Sequence, residues 1–289
     1  MKSLQAWLPF LKWPRLSPEG FRNEWFAGFS VALLMVPQSV AYAALAGMPL
    51  VTGLYAALLP AVVGVLWGGS TRLSIGPSAL TCVLISASLA GMAQPGSALW
   101  VELAIWLALL AGTLQLLMGL LRYGWLLNLI SSPVMMGFTQ AAGLLVMASQ
   151  LPAISGWQPG GNIQASDLAF GLGSLAALFA AKKWLPKWPS IMLVVAATAG
   201  ISYAMGFAQQ GGAVIGALPA SLPTLSLPSL LPWSELGLLL GPALLIALVS
   251  FLEAASSAKT ENQKEGTLWQ ENQDLIGQGM AKITSALCG

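Results

Sequence analysis

Runs of about 20 apolar residues recur along this chain, the length an α-helix needs to cross the roughly 30 Å hydrocarbon layer of a membrane. Eight such segments can be drawn, at about 25–45, 50–67, 76–92, 99–120, 130–151, 166–181, 189–208 and 236–258. The third and sixth are short, and Pro37 interrupts the first. In lipid the backbone must satisfy its own hydrogen bonds, so such segments fold as helices. Composition points the same way. The chain is 56% hydrophobic and 8% charged, whereas a soluble domain carries about 25% charged residues. The expected fold class is an all-α polytopic membrane protein with the lipid bilayer as its solvent.

The basic residues test the count of spans. With a cytoplasmic N-terminus, Lys2, Lys12, Arg15 and Arg22 precede the first span, and Arg72 lies between the second and third. Arg122 lies between the fourth and fifth, Lys182, Lys183 and Lys187 between the sixth and seventh, and Lys259, Lys264 and Lys282 after the eighth. All 12 then fall on one side, which is the positive-inside pattern. The expected location is the inner (plasma) membrane, multi-pass, with a cytoplasmic N-terminal segment at 1–24 and a transmembrane domain at 25–258. Residues 209–235, rich in Gly, Pro and Ser, read as an extracytoplasmic loop with short extended pieces. Beyond Ala258 the chain turns polar, with Leu275, Ile276, Met280, Ile283 and Leu287 at roughly helical spacing. That pattern predicts a cytoplasmic linker at 259–289 whose amphipathic helix lies along the interface, with no ninth span. Trp25, Trp67, Trp184 and Trp188 read as aromatic-belt anchors.

Several functions are excluded. There is no His, and Cys82 and Cys288 make neither a disulfide framework nor a metal-ligand pair. No nucleophile–base pair is evident, so no catalytic residue, metal or cofactor is expected and the chain does not read as an enzyme. A net charge of +2 gives no nucleic-acid footprint. Residues 1–24 hold basic residues and prolines without a long apolar core, unlike a signal peptide.

Polar residues inside apolar runs mark where chemistry would lie. The stretch RLSIGPSALTCVLISASLAG, Arg72–Gly91, reads as an extended piece followed by Gly-Pro and a short helix, with Pro77 at its first position. A helix that starts inside the membrane would turn the N–H groups of Ser78, Ala79 and Leu80 toward an anion. The alternative is an ordinary helix start near the interface. In MVPQSVAYAALAG, Gln38 and Tyr42 share one helix face. They line a polar cavity, or Gln38 bonds a neighbouring helix as structural glue. Glu253, in LLIALVSFLEAASSAK, is the acid deepest in an apolar run. It reads as a proton or sodium carrier, with Ser256 and Ser257 completing a polar pocket, or as a side chain that snorkels to the interface. Gln140, between Gly137 and Gly143, reads as close helix packing, Glu102 as interfacial, and Cys82 as inert.

These stretches resemble the SulP family of anion transporters. VPQSVAYAALAGMPLVTGLYAALLP resembles the family's first-helix signature and second helix, and STRLSIGPSA the approach to its third. FLEAASSAK and NQDLIGQGMAKITSALCG resemble the eighth helix and the linker after it. The resemblance implies a seven-plus-seven inverted-repeat transporter fold, of which this chain holds the first repeat plus one helix. Helices 1–4 and 8 would be core-type and helices 5–7 gate-type. It implies transport of a small inorganic or carboxylate anion (sulfate, bicarbonate or dicarboxylate), driven by H⁺ or Na⁺ through an elevator-like motion of core against gate. Gln38, Tyr42, Ser78, Ala79 and Leu80 match the family's anion pocket, and Glu253 its coupling-ion position. The chain ends before the family's tenth helix, which supplies the other half of that pocket, so a fragment or truncation is expected. A non-transporting remnant or membrane interaction module, and a nucleobase permease of like architecture, are the alternatives, and a homodimer stays open.

Overall fold

The computed structural model describes residues 8–13, 17–70, 73–129, 132–155, 165–185, 190–207, 209, 222–223, 225, 227–229, 231–265 and 269–288. Helices α1 (Pro18–Leu45), α2 (Leu50–Ala57), α3 (Leu59–Trp67), α4 (Ala79–Leu89) and α5 (Ala98–Leu120) come first. They are followed by α6 (Ser132–Ser155), α7 (Ala165–Trp184), α8 (Ser190–Ala204), α9 (Trp233–Glu265) and α10 (Glu271–Cys288). Among the described residues there is no strand, and residues 73–78 approach α4 as irregular chain.

Local chemistry explains where the helices depart from the apolar segments. α1 begins before the expected residue 25 because Ser17 caps it, its Oγ accepting the Gly20 N–H at 3.0 Å, and Pro18 suits a first helical position. The second apolar segment is two helices. Pro60 in the first turn of α3 lacks the N–H that would continue the ladder, and the chain kinks at Leu58 (φ −96°, ψ −97°). Among the described residues, five stretches are long and apolar enough to cross a membrane: Pro18–Leu45, Leu50–Trp67, Ala98–Leu120, Ala165–Trp184 and Trp233–Ala258. Ala79–Leu89 and Leu193–Ala204 are apolar but shorter. Most of the expected 209–235 loop lies outside the described residues.

The chain forms two compact units. One comprises Leu16–Pro37 and Leu145–Leu218. In it α7 packs on α8, and Phe170 meets Phe207 with ring centroids 4.6 Å apart. No described residue of α7 is buried, and Leu172, Leu175 and Phe179 are exposed. So much exposed apolar surface suits lipid rather than water.

The other unit comprises Met1–Arg15, Gln38–Leu144 and Pro219–Gly289. α9 packs along α5 and α4 through Leu89, Trp100, Leu103, Leu107, Leu239 and Ile246. Trp100 is fully buried, and its indole N–H donates to the Ala46 carbonyl at 2.9 Å, tying the end of α1 to the start of α5. Trp100→Phe keeps a ring in place but leaves that carbonyl unpaired. A loss of about 1–3 kcal/mol is expected, read as a lower thermal midpoint in detergent.

α10 corrects the expectation of an interfacial helix at the C-terminal end. It packs against α5 and α3, with Asp274, Leu275, Gly277, Gln278, Gly279 and Ala281 buried. Its polar residues Asp274, Gln278 and Lys282 are four apart, one face of a helix. From sequence that face belongs in water; in the fold it finds protein partners. Asp274 Oδ1 accepts the N–H groups of Gly69 (2.6 Å) and Ser70 (3.0 Å), and Trp269 donates to the same carboxylate. Gln273 donates to the Trp67 carbonyl at 2.7 Å, and Asn272 Oδ1 accepts the Gly124 N–H at 2.8 Å. Asn272, Gln273 and Asp274 thus fasten the first turn of α10 to the ends of α3 and α5.

Close approach of the backbones completes the docking. A Cβ on Gly279 would lie 2.6 Å from Leu116 N and 2.8 Å from Gly112 O, and one on Gly277 2.7 Å from Gly68 Cα. The glycines expected to mark close packing do not. Among the described residues, nothing lies within 4 Å of where a Cβ on Gly137 or Gly143 would stand.

Candidate functional site

The start of α4 and the middle of α9 meet. Ser78 is the N-cap of α4, with extended backbone (φ −119°, ψ 147°), and its Oγ accepts the Thr81 N–H at 3.3 Å. Helical geometry therefore begins at Ala79, and Pro77 lies before the cap rather than at the expected first helical position. A serine hydroxyl can satisfy a first-turn amide, which proline cannot. The N–H groups of Ala79 and Leu80 remain in the first turn, where no carbonyl of their own helix reaches them. At 11 residues α4 is about 16 Å long, too short to cross the hydrocarbon layer by itself.

Across from this cap, Glu253 accepts a hydrogen bond from Ser78 Oγ at 2.7 Å, and Ser78 Oγ lies 2.9 Å from Thr81 Oγ1. Glu253 is half-buried. α9 continues to Glu265, about 18 Å beyond Glu253, while its membrane-crossing stretch ends at Ala258, as expected. Its side-chain partner comes from α4. Ser257 instead donates to the Glu253 backbone carbonyl at 3.4 Å.

A second polar cluster lies one turn away on α9. Gln115 of α5 is fully buried. Its Nε2 donates to Ala247 O (2.8 Å) and Ser250 Oγ (2.9 Å) and lies 3.3 Å from Gln278 Oε1. The Lys282 ammonium donates to Gln115 Oε1 at 2.9 Å. Ser250 and Glu253 are three apart on α9, so both clusters share one helix face.

The sequence profile of the Sulfate permease family matches residues 21–289. The chain belongs to this family. It is 33% identical to the chloroplastic sulfate transporter 4.1 of Arabidopsis thaliana, covering 97% of this chain and 43% of that one. It is 32% identical to a probable sulfate transporter of Mycobacterium tuberculosis strain CDC 1551 / Oshkosh, covering 92% of this chain and 50% of the relative. The chain spans about half the length of these relatives. Its fold matches murine Solute Carrier 26 family member A9, an anion transporter in the inward-facing state, with TM-score 0.85 at 21% identity over 99% of this chain and 54% of that one. It also matches the transmembrane domain of the cyanobacterial bicarbonate transporter BicA, with TM-score 0.79 at 20% identity over 95% of this chain and 74% of that one.

In this chain the expected site residues fall into two pairs. Ser78 and Glu253 are in contact, with Ala79 and Leu80 buried beside them. Gln38 donates to the Tyr42 hydroxyl at 2.6 Å, with Gln38 exposed and Tyr42 half-buried. Among the described residues no side-chain hydrogen bond joins the two pairs. Glu102 accepts from Ser229, Cys82 is buried, and Gln140 is exposed. Gln115, Ser250, Gln278 and Lys282 were not singled out from sequence. For Gln115 the signal was present: a lone amide in LALLAGTLQLLMG needs a partner for the reason that applies to Gln38. Gln278 and Lys282 were hidden by the polar composition of their own helix.

Proposed function

We propose that this sulfate permease family chain supplies one side of the site of a secondary transporter for a small anion, sulfate, bicarbonate or a dicarboxylate. The observation that carries the reading is the contact between Ser78 and Glu253 at the start of a helix too short to span the bilayer. The first-turn amides and the positive end of the α4 dipole favour an anion, while the carboxylate beside them can take up a cation. A site that attracts both charges is what coupling an anion to H⁺ or Na⁺ requires. Gln38 and Tyr42 line the same path, a role that rests on the family resemblance.

An elevator-like motion of core (helices 1–4 and 8) against gate (helices 5–7) rests on the family resemblance, since the two compact units divide within α1 and α6. A cytoplasmic N-terminus accords with the loop charges, although Lys282 belongs to the packed bundle and leaves that tally.

The test is uptake into vesicles reconstituted with a transporter that joins this chain to the rest of the anion pocket, using labelled sulfate, bicarbonate and succinate under imposed H⁺ or Na⁺ gradients. Uptake above protein-free vesicles is expected for at least one anion under at least one gradient, with unlabelled anion competing. Absence of uptake under every combination rejects the reading.

A further inference from the structure

Residues 18–24 carry α1 past the apolar run that begins near residue 25. At 1.5 Å per residue, Arg22 stands about 5 Å beyond the start of that run. A bilayer's headgroup layer is roughly 5–8 Å deep on each side of the hydrocarbon, so this turn of α1 is at headgroup depth. Phe21, Trp25, Phe26 and Phe29 are each more than half exposed, and Arg22 is exposed among them. Offsets of three, four, seven and eight residues bring the four rings and the arginine to one side of the helix. Phe21 and Trp25 stack, with ring centroids 6.4 Å apart and planes 26° from parallel. With Arg22 they line a shallow hollow of about 370 Å³. Two rings and an aliphatic arginine stem give it an apolar wall, and the guanidinium brings a positive charge beside it. Among the described residues no hydrogen bond or ion pair engages that guanidinium. Glu19, three residues earlier, makes no ion pair with it, and Glu24, two residues later, points away around the helix.

We propose that Phe21, Arg22 and Trp25 bind one anionic phospholipid, with its phosphate on Arg22 and the top of an acyl chain in the hollow. A phospholipid supplies both chemistries that this face lacks. Its phosphate accepts two parallel N–H bonds from a guanidinium fork, and its chain covers exposed aromatic surface and continues past Phe29 into the hydrocarbon. The charge selects among lipids. In phosphatidylcholine the headgroup carries its own ammonium, which competes with Arg22 for the phosphate. Phosphatidylglycerol has no such internal cation and leaves its negative charge to the protein. The site is separate from the anion pocket and does not depend on which anion is carried.

The experiment is native mass spectrometry of the purified, delipidated protein, titrated with phosphatidylglycerol and phosphatidylcholine at equal mole fraction. The wild type should take up a phosphatidylglycerol in preference to phosphatidylcholine. Arg22→Gln should bind that lipid on the order of fivefold more weakly, the weight of one basic residue near a membrane surface. Trp25→Ala should weaken both lipids and leave their ratio near that of the wild type. Lys182→Gln removes an equal charge from the last turn of α7 and should change nothing. Equal uptake of the two lipids by the wild type overturns the proposal, as does an Arg22→Gln preference equal to that of the wild type. Equal losses in Arg22→Gln and Lys182→Gln overturn it in favour of diffuse charge. Inorganic phosphate should not displace the lipid; displacement overturns the proposal in favour of a free-anion site. A lipid-free dimer that Trp25→Ala dissociates overturns it in favour of a second copy of the chain. None of these readouts needs transport, so they stand whatever the uptake test gives.

Discussion

Gly279→Leu leaves no monodisperse protein in detergent. α10 reaches the interior because α5 and α10 touch backbone to backbone. The position a Cβ would take at Gly279 lies 2.6 Å from Leu116 N and 2.8 Å from Gly112 O. Neither atom can move aside, since both belong to the ladder of α5, so the helices must separate. Overpacking by one or two methylenes typically costs about 1–3 kcal/mol, which is the expectation for Gly279→Ala. Leucine forces a wider gap, and with it go the Lys282–Gln115 bond and the fastening of α10 by Asp274. Between lipid-exposed helices, where little hydrophobic effect drives association, packing and interhelical hydrogen bonds are what hold the pair. Size-exclusion chromatography reads the result: aggregate in place of the symmetric wild-type peak. Gly241→Ala is the control. Among the described residues nothing lies within 4 Å of its Cβ position, and alanine favours helix over glycine by roughly 0.5–1 kcal/mol, so that variant should elute and melt as well as the wild type. A monodisperse Gly279→Leu protein would mean that α10 is not held where the structure places it.

Glu253→Gln uncouples anion movement from the ion gradient. The amide keeps an oxygen for the Ser78 hydroxyl, now 2.7 Å from the carboxylate, so the N-cap of α4 and the local packing survive. What disappears is the negative charge that a proton or sodium ion would neutralise. In vesicles reconstituted with a transporter that joins this chain to the rest of the anion pocket, uptake by the wild type should rise several-fold when the driving gradient is imposed, whereas uptake by Glu253→Gln should be the same with and without it. Anion exchange across the membrane should persist in the variant, because the first-turn amides of α4 are intact. Unchanged gradient dependence removes Glu253 from coupling and leaves it a structural partner of Ser78.

The two predictions differ in how much of their basis the sequence displays. Glu253 stands out at once as an acid in an apolar run, and Ser78 as part of a Gly-Pro-Ser turn before a short helix. That they touch was not legible, because 175 residues separate them and local periodicity carries no information about pairing at that range. Lys282 and the helix that carries Gly279 were misread for a different reason. A helix with Asp274, Gln278 and Lys282 along one face has the pattern of an interfacial helix, since the usual partner for such a face is water. Here the partners are Gly69, Ser70 and Gln115, and for Asp274 they lie 205 and 204 residues back along the chain.

The all-helical membrane architecture, most helix positions and the family were readable from the order of residues alone. Each follows from a one-dimensional quantity: the length of an apolar run, the spacing of charges, or an ordered set of short motifs. It took the folded arrangement to show that the polar C-terminal helix belongs inside the bundle, and that Glu253 bonds to Ser78 rather than reaching for the interface. Burying a polar group is costly unless a partner is already in place. Whether Lys282 or Asp274 is buried is therefore settled by residues far away in the chain that the fold brings within hydrogen-bond distance.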